Sequence, residues 1–357
     1  METIGILTAG GYDGKIGGNM AHFERLGRIA SQFGRGMALF NLNKNGGITS
    51  YTWSNRRNAY EPRPQQTLSP VLYNRIPSRQ LERSKAIQSR MDTWEQQGHV
   101  ITNPHFLTKW ELARVWKDDE KVRQYLLDTE RLADKQNLAH WLDERSTFYL
   151  KPSSGKAGIG MMHVKKGHSG FHLREQQKGR LLDYGELTFR EFDQLLQRHH
   201  RYGRYLLQEE ARVAKWDDRR FDVRMILHRL PESEFSVSGM AVRSAPQYSV
   251  TTHVPNGGSR APLRVVLQEV FGNRQEVVES ELIKVGVAAA NAIARTPGTW
   301  TELSLDASVT PEGRPILFEA NAKPMKFDEA DIELYGKRKL FESLSIIAKN
   351  MENSHEL

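Results

Sequence analysis

The sequence predicts a mixed chain of helices and strands opened by a small α/β unit. Three observations lead there. The N-terminal stretch reads strand, helix, strand, the pattern of a βαβ unit. Residues 108–143 carry helical periodicity, broken near "LLDTE" at 126–130. Residues 146–166 and 301–324 read as pairs of alternating strands joined by tight turns. At 357 residues the chain exceeds what one compact core usually organises, so two or three packed units are expected.

Taken in order, "TIGILTA" (residues 3–9) is a short apolar run ending in Gly10-Gly11, a buried strand entering a loop. Residues 19–33 place Met20, Phe23, Leu26, Ile29, Ala30 and Phe33 at helical spacing, and "GMALFNL" follows as a second strand. The Gly-rich loop after the first strand is a candidate to hold phosphate, with a plain chain turn as the better reading because the dinucleotide fingerprint is missing. Residues 55–70, rich in Arg, Pro and Gln, read as a loop; residues 70–80 read as a further strand stopped by Pro77. Asn74, Arg75 and Arg79 at its end are candidates to meet an anionic substrate, with a solvated strand end as the plainer reading. Pro104 marks a boundary before a helix capped around Thr108. The final "NMENSHEL" is expected to fray.

Hydrophobic residues make up 38% and charged residues 26%, which suits a folded globular chain. Fifty-one Lys plus Arg against 43 Asp plus Glu give a formal charge of +8, an affinity for anions. The basic residues are scattered pairs rather than one block, which argues against nucleic acid as a partner. The absence of cysteine excludes disulfides, thiolate metal sites and cysteine nucleophiles. The start lacks the basic flank and apolar core of a signal peptide, and no apolar run approaches the ~18 residues of a membrane span. A soluble, cytoplasmic protein is expected.

"FYLKPSSGKAGIGMMHV" (residues 148–164) carries the first chemical signal. It matches neither the Walker loop nor the Rossmann fingerprint. Between its strands, Ser153, Ser154, Gly155, Lys156 and Gly158 offer backbone N–H groups and hydroxyls with little bulk, and Lys151 supplies a cation just before them. Such a loop can fold over phosphates. Standing alone, a hairpin of this composition is more often a plain turn.

"TELSLDASVTPEGRPILFEANAKP" (residues 301–324) is the second. If its turn centres on Glu312 and Gly313, Asp306 lies opposite Glu319 and Ser304 opposite Asn321, with Asp306, Glu319 and Asn321 on one face. Carboxylates paired across strands repel each other. A hard divalent cation removes that repulsion, and oxygen ligands beside substrate phosphates suit Mg²⁺. A solvent-facing acidic edge is the alternative. In "RRFDVRMILHR" (residues 219–229), alternation puts Val223, Met225 and Leu227 on one face and Asp222, Arg224 and Ile226 on the other. Arg224, steadied by Asp222, is a candidate to face phosphate, and a salt-bridged strand face explains it equally.

Lysine on a strand, a small-residue loop, a D-x-R strand and then D…E-x-N on a late hairpin: this order resembles the ATP-grasp superfamily. More narrowly, "NPHFLTKWEL", "LLDTERL", "FYLKPSSGKAGIG", "RRFDVRMIL" and "LFEANAKP" resemble the YheC/YheD family, described as endospore coat-associated, from about Val71 to about Phe341. The resemblance implies an α/β pre-ATP-grasp domain (residues 1–103), a lid subdomain with the phosphate hairpin (104–205) and a C-terminal subdomain with the metal site (206–350). The last two, both α+β, would sandwich ATP, which makes the implied fold class α+β. It also implies that Lys109 and Lys151 contact the phosphates, and that the loop from Ser153 to Gly160 closes over them. Gln208, Glu209, Glu210 and Ala211 of "LLQEEA" would form the adenine hinge. Arg224 would touch the γ-phosphate, and Asp306, Glu319 and Asn321 would hold one or two Mg²⁺. Lys156 departs from the serine usual in the family. His253 and Pro255 depart from the usual Asn and Ser in "THVPNGGS", whose Asn256, Gly257 and Gly258, with Arg260, are acceptor-substrate candidates.

The resemblance implies a ligase joining a carboxylate to an amine through an acyl phosphate, with ADP released. Its substrates would be small molecules or peptides, and coat proteins of the spore are candidate partners. The alternatives are an ATP-binding structural component of the coat without turnover, a kinase on the same fold, and nucleic-acid binding.

Overall fold

The computed structural model of the protein describes residues 3–10, 15–64, 66–155, 158–178, 180–244, 259–324 and 330–355. Three sheets organise these residues.

The first sheet holds β1 (Thr3–Ala9), β2 (Gly36–Leu42), β3 (Ile48–Ser54), β4 (Ala59–Pro62), β5 (Val71–Asn74) and β6 (Val100–Thr102), in the order β4-β3-β2-β1-β5-β6. β1 runs parallel to β2 and β5, and β5 to β6, as the βαβ reading requires. Helix α1 (Met20–Gln32) starts where the Asn19 side chain accepts from the His22 amide at 3.2 Å, and it buries Phe23, Leu26, Ile29 and Ala30 on the sheet. α2 (Arg79–Glu82) and α3 (Lys85–Gln96) follow β5.

Three expectations need correction. The run after Pro70 is strand only to Asn74: the Asn74 side chain accepts from the Ile76 amide, folding the chain into a turn, and Ser78 caps α2. The Arg-, Pro- and Gln-rich stretch contains β4, which pairs with β3 at the sheet edge, where its Pro62 is tolerated. The last segment does not fray before His355. It completes α9 (Ala330–His355), whose Leu340, Phe341, Leu344 and Ala348 enter the core beneath α1, with Met351 packed beside them.

The second sheet is antiparallel throughout. Its strands are β7 (Thr129–Arg131), β8 (Thr147–Pro152), β9 (Met162–Lys166), β10 (Phe171–Gln177), β11 (Arg180–Leu187) and β12 (Tyr205–Glu209), in the order β11-β10-β9-β8-β12-β7. α5 (Lys135–Glu144) and α6 (Phe189–Arg198) press Trp141, Leu138, Phe192 and Leu196 onto Phe148 and Leu150. α4 (Lys109–Lys117) opens with a complete capping box between Thr108 and Glu111. Its Leu112 and Trp116 join the core of the third sheet, where Trp116 donates to the Ala289 carbonyl at 3.1 Å.

The third sheet runs β16 (Ser259–Pro262), β15 (Ser236–Ser244), β14 (Arg219–His228), β17 (Glu302–Val309) and β18 (Pro315–Asn321), with β13 (Lys215–Trp216) paired to β14. α7 (Leu263–Phe271) and α8 (Gln275–Ala294) cover one face, and Val223, Met225 and Leu227 point into that core as their alternation predicts. On the opposite face α9 packs over one end, with Ile332 against Ile226 and Ala241, and the other end carries Asp222, Arg224, Arg243, Asp306 and Glu319 as the floor of a site.

Candidate functional site

The floor is set by register. Asp306 lies opposite Glu319 and Ser304 opposite Asn321, as the turn position predicts. The route to that register differs from the one assumed. The hairpin closes between Thr310 and Arg314, which aligns Ala307 with Leu317, and a bulge at Phe318 restores the Asp306–Glu319 pairing. The extra residue turns its ring into the cleft, with Lys151 Nζ 5.8 Å from its centroid.

Cations gather on the two carboxylates. Arg224 donates to Asp306 through Nε and Nη2, both at 2.8 Å, and Arg243 Nη2 stands 3.0 Å from the same carboxylate. Arg243 also grips Asp222 at 2.7 and 2.8 Å. Asp222 thus accepts its hydrogen bonds from Arg243, while Arg224 donates to Asp306 and feels Asp222 only as a weaker nearby charge. Arg243 is missing from the sequence reading, although the alternation of "SVSGMAVRS" places it opposite Asp222 once β14 and β15 are paired. Lys109, the first residue of α4, donates to Glu319. Burial works to raise the Asp306 carboxyl, but Arg224 and Arg243 outweigh it and hold it below the usual range. Glu319 is held low by Lys109, against burial and the repulsion of Asp306.

The roof is the β8–β9 hairpin. Tyr149 and Lys151 of β8 face the cleft while Phe148 and Leu150 face the sheet's own core. Lys151 is lowered to about 8 by burial first and by Lys109 second, and it donates to Gln208. Gly158 and Gly160 adopt φ of +69° and +79°, and a Cβ on Gly160 would come within 2.9 Å of the Tyr205 hydroxyl, so both positions demand glycine. Ser153 Oγ is buried without a hydrogen-bond partner, and Ser154 is exposed at the tip.

Between roof and floor lies a cleft of about 180 Å³, lined among others by Lys109, Lys151, Gly155, Gly158, Asp306 and Glu319. The strand end at the back splits the predicted hinge. Glu209 and Ala211 line this cleft, whereas Gln208 lines an adjoining cavity and bonds Thr129 at 2.9 Å. Glu210 is clamped by Arg220 at 2.6 Å and His163 at 3.2 Å. Burial would raise the Glu210 carboxyl, but those two partners bring it down to about 2.

Other predicted residues lie elsewhere. Arg75 is buried against Glu302 and Asn74 against Glu82, so neither meets a substrate. Arg79 bonds the Leu107 carbonyl at 2.8 Å. Arg260 sits on β16, paired in register with Arg243. Lys156, Asn256, Gly257 and Gly258 fall outside the described residues.

Among the described residues no group of three His, Cys, Asp or Glu gathers to hold a metal. The donor set is instead two ionised carboxylates and the Asn321 amide on one strand face. That set fits a hard divalent cation that takes its remaining ligands from phosphate and water. Lys109 and Lys151, which line the same cleft, fit a polyphosphate.

A family profile described as "YheC/D like ATP-grasp" matches residues 98–349. The chain is 23% identical over 301 residues to the endospore coat-associated protein YheD of Bacillus subtilis strain 168, covering 81% of this chain and 65% of that protein. It is 18% identical over 220 residues to YheC of the same organism, covering 60% of this chain and 59% of YheC. The chain thus spans about three fifths to two thirds of the relatives' lengths. Among solved structures, the D-alanine-D-alanine ligase from Coxiella burnetii superposes with a TM-score of 0.58 at 10% identity, covering 100% of this chain and 98% of that one. The shared architecture is the ATP-grasp fold, with two α+β layers facing each other across the cleft.

Proposed function

The chain belongs to the YheC/D-like ATP-grasp family, and from that membership we propose that it is an ATP- and Mg²⁺-dependent ligase joining a carboxylate to an amine. The γ-phosphoryl group of ATP passes to the substrate carboxylate, giving an acyl phosphate and ADP; the amine then attacks the acyl carbon, forms the amide and expels phosphate. The observation that carries this reading is the Asp306–Glu319 pair, set by register beneath Lys151 and the glycine hairpin in one cleft.

This chain's own residues have distinct tasks. Lys109, Lys151 and the amides of the hairpin bind and orient the phosphates. Asp306, Glu319 and Asn321 would hold one or two Mg²⁺, which supply charge neutralisation on the transferred group. Arg224, anchored by both Asp306 oxygens, would stabilise the charge that develops on the transferred group. Tyr149 and Phe318 wall the cleft toward Glu209 and Ala211, the place for the adenine. No nucleophilic side chain is needed. Substrates are small-molecule or peptide carboxylates and amines, handled in the cytoplasm and destined for the spore coat or envelope.

Melting the protein with and without Mg-ATP tests the site. A ligand at ~100 times its dissociation constant stabilises by about 2.7 kcal/mol. That raises the midpoint by several degrees, and Glu319→Ala should abolish the rise. Amide formation with ADP as the co-product then tests the chemistry; release of AMP would exclude the acyl phosphate. A second reading, an ATP-binding coat component without turnover, is favoured by the coat-associated names of YheD and YheC. Normal coat assembly in a Glu319→Ala strain that has lost ligation would separate the two.

A further inference from the structure

Arg79 takes no part in the site as drawn so far, yet its surroundings tie it to both hairpins. α2, which carries it, is a single turn and cannot hold its place alone. It is pinned by Glu82, which is buried, pairs with Lys323, and accepts from Asn74 Nδ2 at 3.0 Å and the Phe106 amide at 2.8 Å. Lys323 lies two residues beyond Asn321, at the exit of β18. α2 is therefore fixed to the floor hairpin.

In the other direction Arg79 reaches the roof. Its Nη2 donates to the Leu107 carbonyl at 2.8 Å, and Nη1 reaches the Gly155 carbonyl, at the tip of the phosphate hairpin, at a long 3.4 Å. The guanidinium carbon sits 5.5 Å from the centre of the Phe106 ring, and Nε is buried with no hydrogen-bond partner. One further crossing bond runs nearby, from the Lys109 amide to the Ser153 carbonyl at 3.3 Å. A planar fork can hold two carbonyls at once, which an ammonium cannot do with fixed geometry. The long contact and the unmet Nε describe a clasp with room to tighten.

We propose that Arg79 is a positioning residue: it clasps the tip of the phosphate hairpin to the N-terminal α/β unit and sets its height over Asp306 and Glu319, so that this unit governs nucleotide release. The release half of the proposal rests on the nucleotide reading above; the clasp itself does not.

Two measurements on the full chain test it. Hydrogen exchange without nucleotide should rise in Arg79→Ala beside the tip, at residues 153–155 and 158–161, while the three sheets stay protected. Dissociation of a fluorescent N-methylanthraniloyl ATP with Mg²⁺ should accelerate about tenfold, the effect of one charged hydrogen bond. Arg79→Lys, which keeps the charge and loses the fork, should fall between wild type and Arg79→Ala in both, and carries the test by itself should Arg79→Ala fail to fold. Unchanged exchange at 153–155 and 158–161, or a rise spread evenly over all three sheets, overturns the proposal. If the wild-type chain binds no Mg-ATP, the nucleotide reading falls and the exchange measurement still decides the clasp.

Discussion

Glu302 and Asp306 stand four residues apart on the same face of β17, both buried, both surrounded by cations, and they do opposite things. Glu302 is sealed where the first sheet, the third sheet and α9 meet. Tyr73 donates to it, Arg75 Nη1 stands 3.3 Å from one oxygen, and Lys337 Nζ stands 3.8 Å from the other, beside His228. Burial would raise its carboxyl, but Lys337, His228 and Arg75 together hold it low. Asp306 has cations just as close, yet it lines an open cleft together with Arg243 and Lys109. A carboxylate matched on all sides by protein welds elements together; one matched at the mouth of a cleft is available to exchange partners. The difference lies in what surrounds the cations, not in the carboxylate.

The largest effect expected follows from the sealed cluster. Glu302→Gln leaves Arg75 and Lys337 buried without their counter-charge, a loss of about 3–5 kcal/mol in unfolding free energy. Asp306→Asn should cost only about 1–2 kcal/mol, because Arg243 keeps Asp222 and the Arg224 side chain is 25% exposed. For ligand the order reverses: Asp306→Asn should weaken Mg-ATP on the order of a hundredfold, the upper range for disturbing a metal site. Urea unfolding and calorimetric titration of the two variants check both halves. Equal destabilisation would erase the distinction between weld and site.

Little of this contrast was legible in the sequence. The shared face of Glu319 and Asn321 was, because a two-residue period fixes it; their alignment with Asp306 came out as expected only because the bulge offsets a turn one residue different from the assumed one. The bulge at Phe318 was not, because nothing in "ILFEAN" marks the extra residue. Arg75 reads as a strand-end arginine until β5 is laid against Glu302, 227 residues away, and proximity across that distance leaves no periodic trace. Asp222 was read with its neighbour Arg224, whereas its partner Arg243 lies on the next strand. Local alternation reveals faces; the pairing of strands decides which charges meet.

A smaller effect sharpens the cleft side. Burial has pushed Lys151 down to about 8 from 10.5, so the folded chain gives up this proton before the unfolded chain does. Between those two values the unfolded state binds more protons, and this group makes stability rise with pH. The wild type should therefore gain on Lys151→Met between pH 8 and 10.5, as measured by urea unfolding. Phosphate favours the charged lysine, so the affinity for Mg-ATP should fall above pH 8 in the wild type and stay flatter in the variant. Parallel pH profiles would mean that Lys151 does not face the phosphates.

The smallest effect concerns Lys109 and Glu319, whose side chains are 25% and 32% exposed. Ion pairs this open contribute about 0–1 kcal/mol, so Lys109→Met should barely move the unfolding midpoint at pH 7. The loss is present above the unfolded carboxylate range and vanishes as Glu319 becomes protonated in acid, since its folded value is the lower one. The same substitution acts on Lys151, because Lys109 is the nearby charge that helps to depress it. Removing it should shift the pH at which Mg-ATP affinity begins to fall to a higher value, while the melting midpoint stays nearly fixed. A melting loss as large as that of Glu302→Gln would instead make Lys109–Glu319 a second weld, and the floor of the cleft would then be closed to metal.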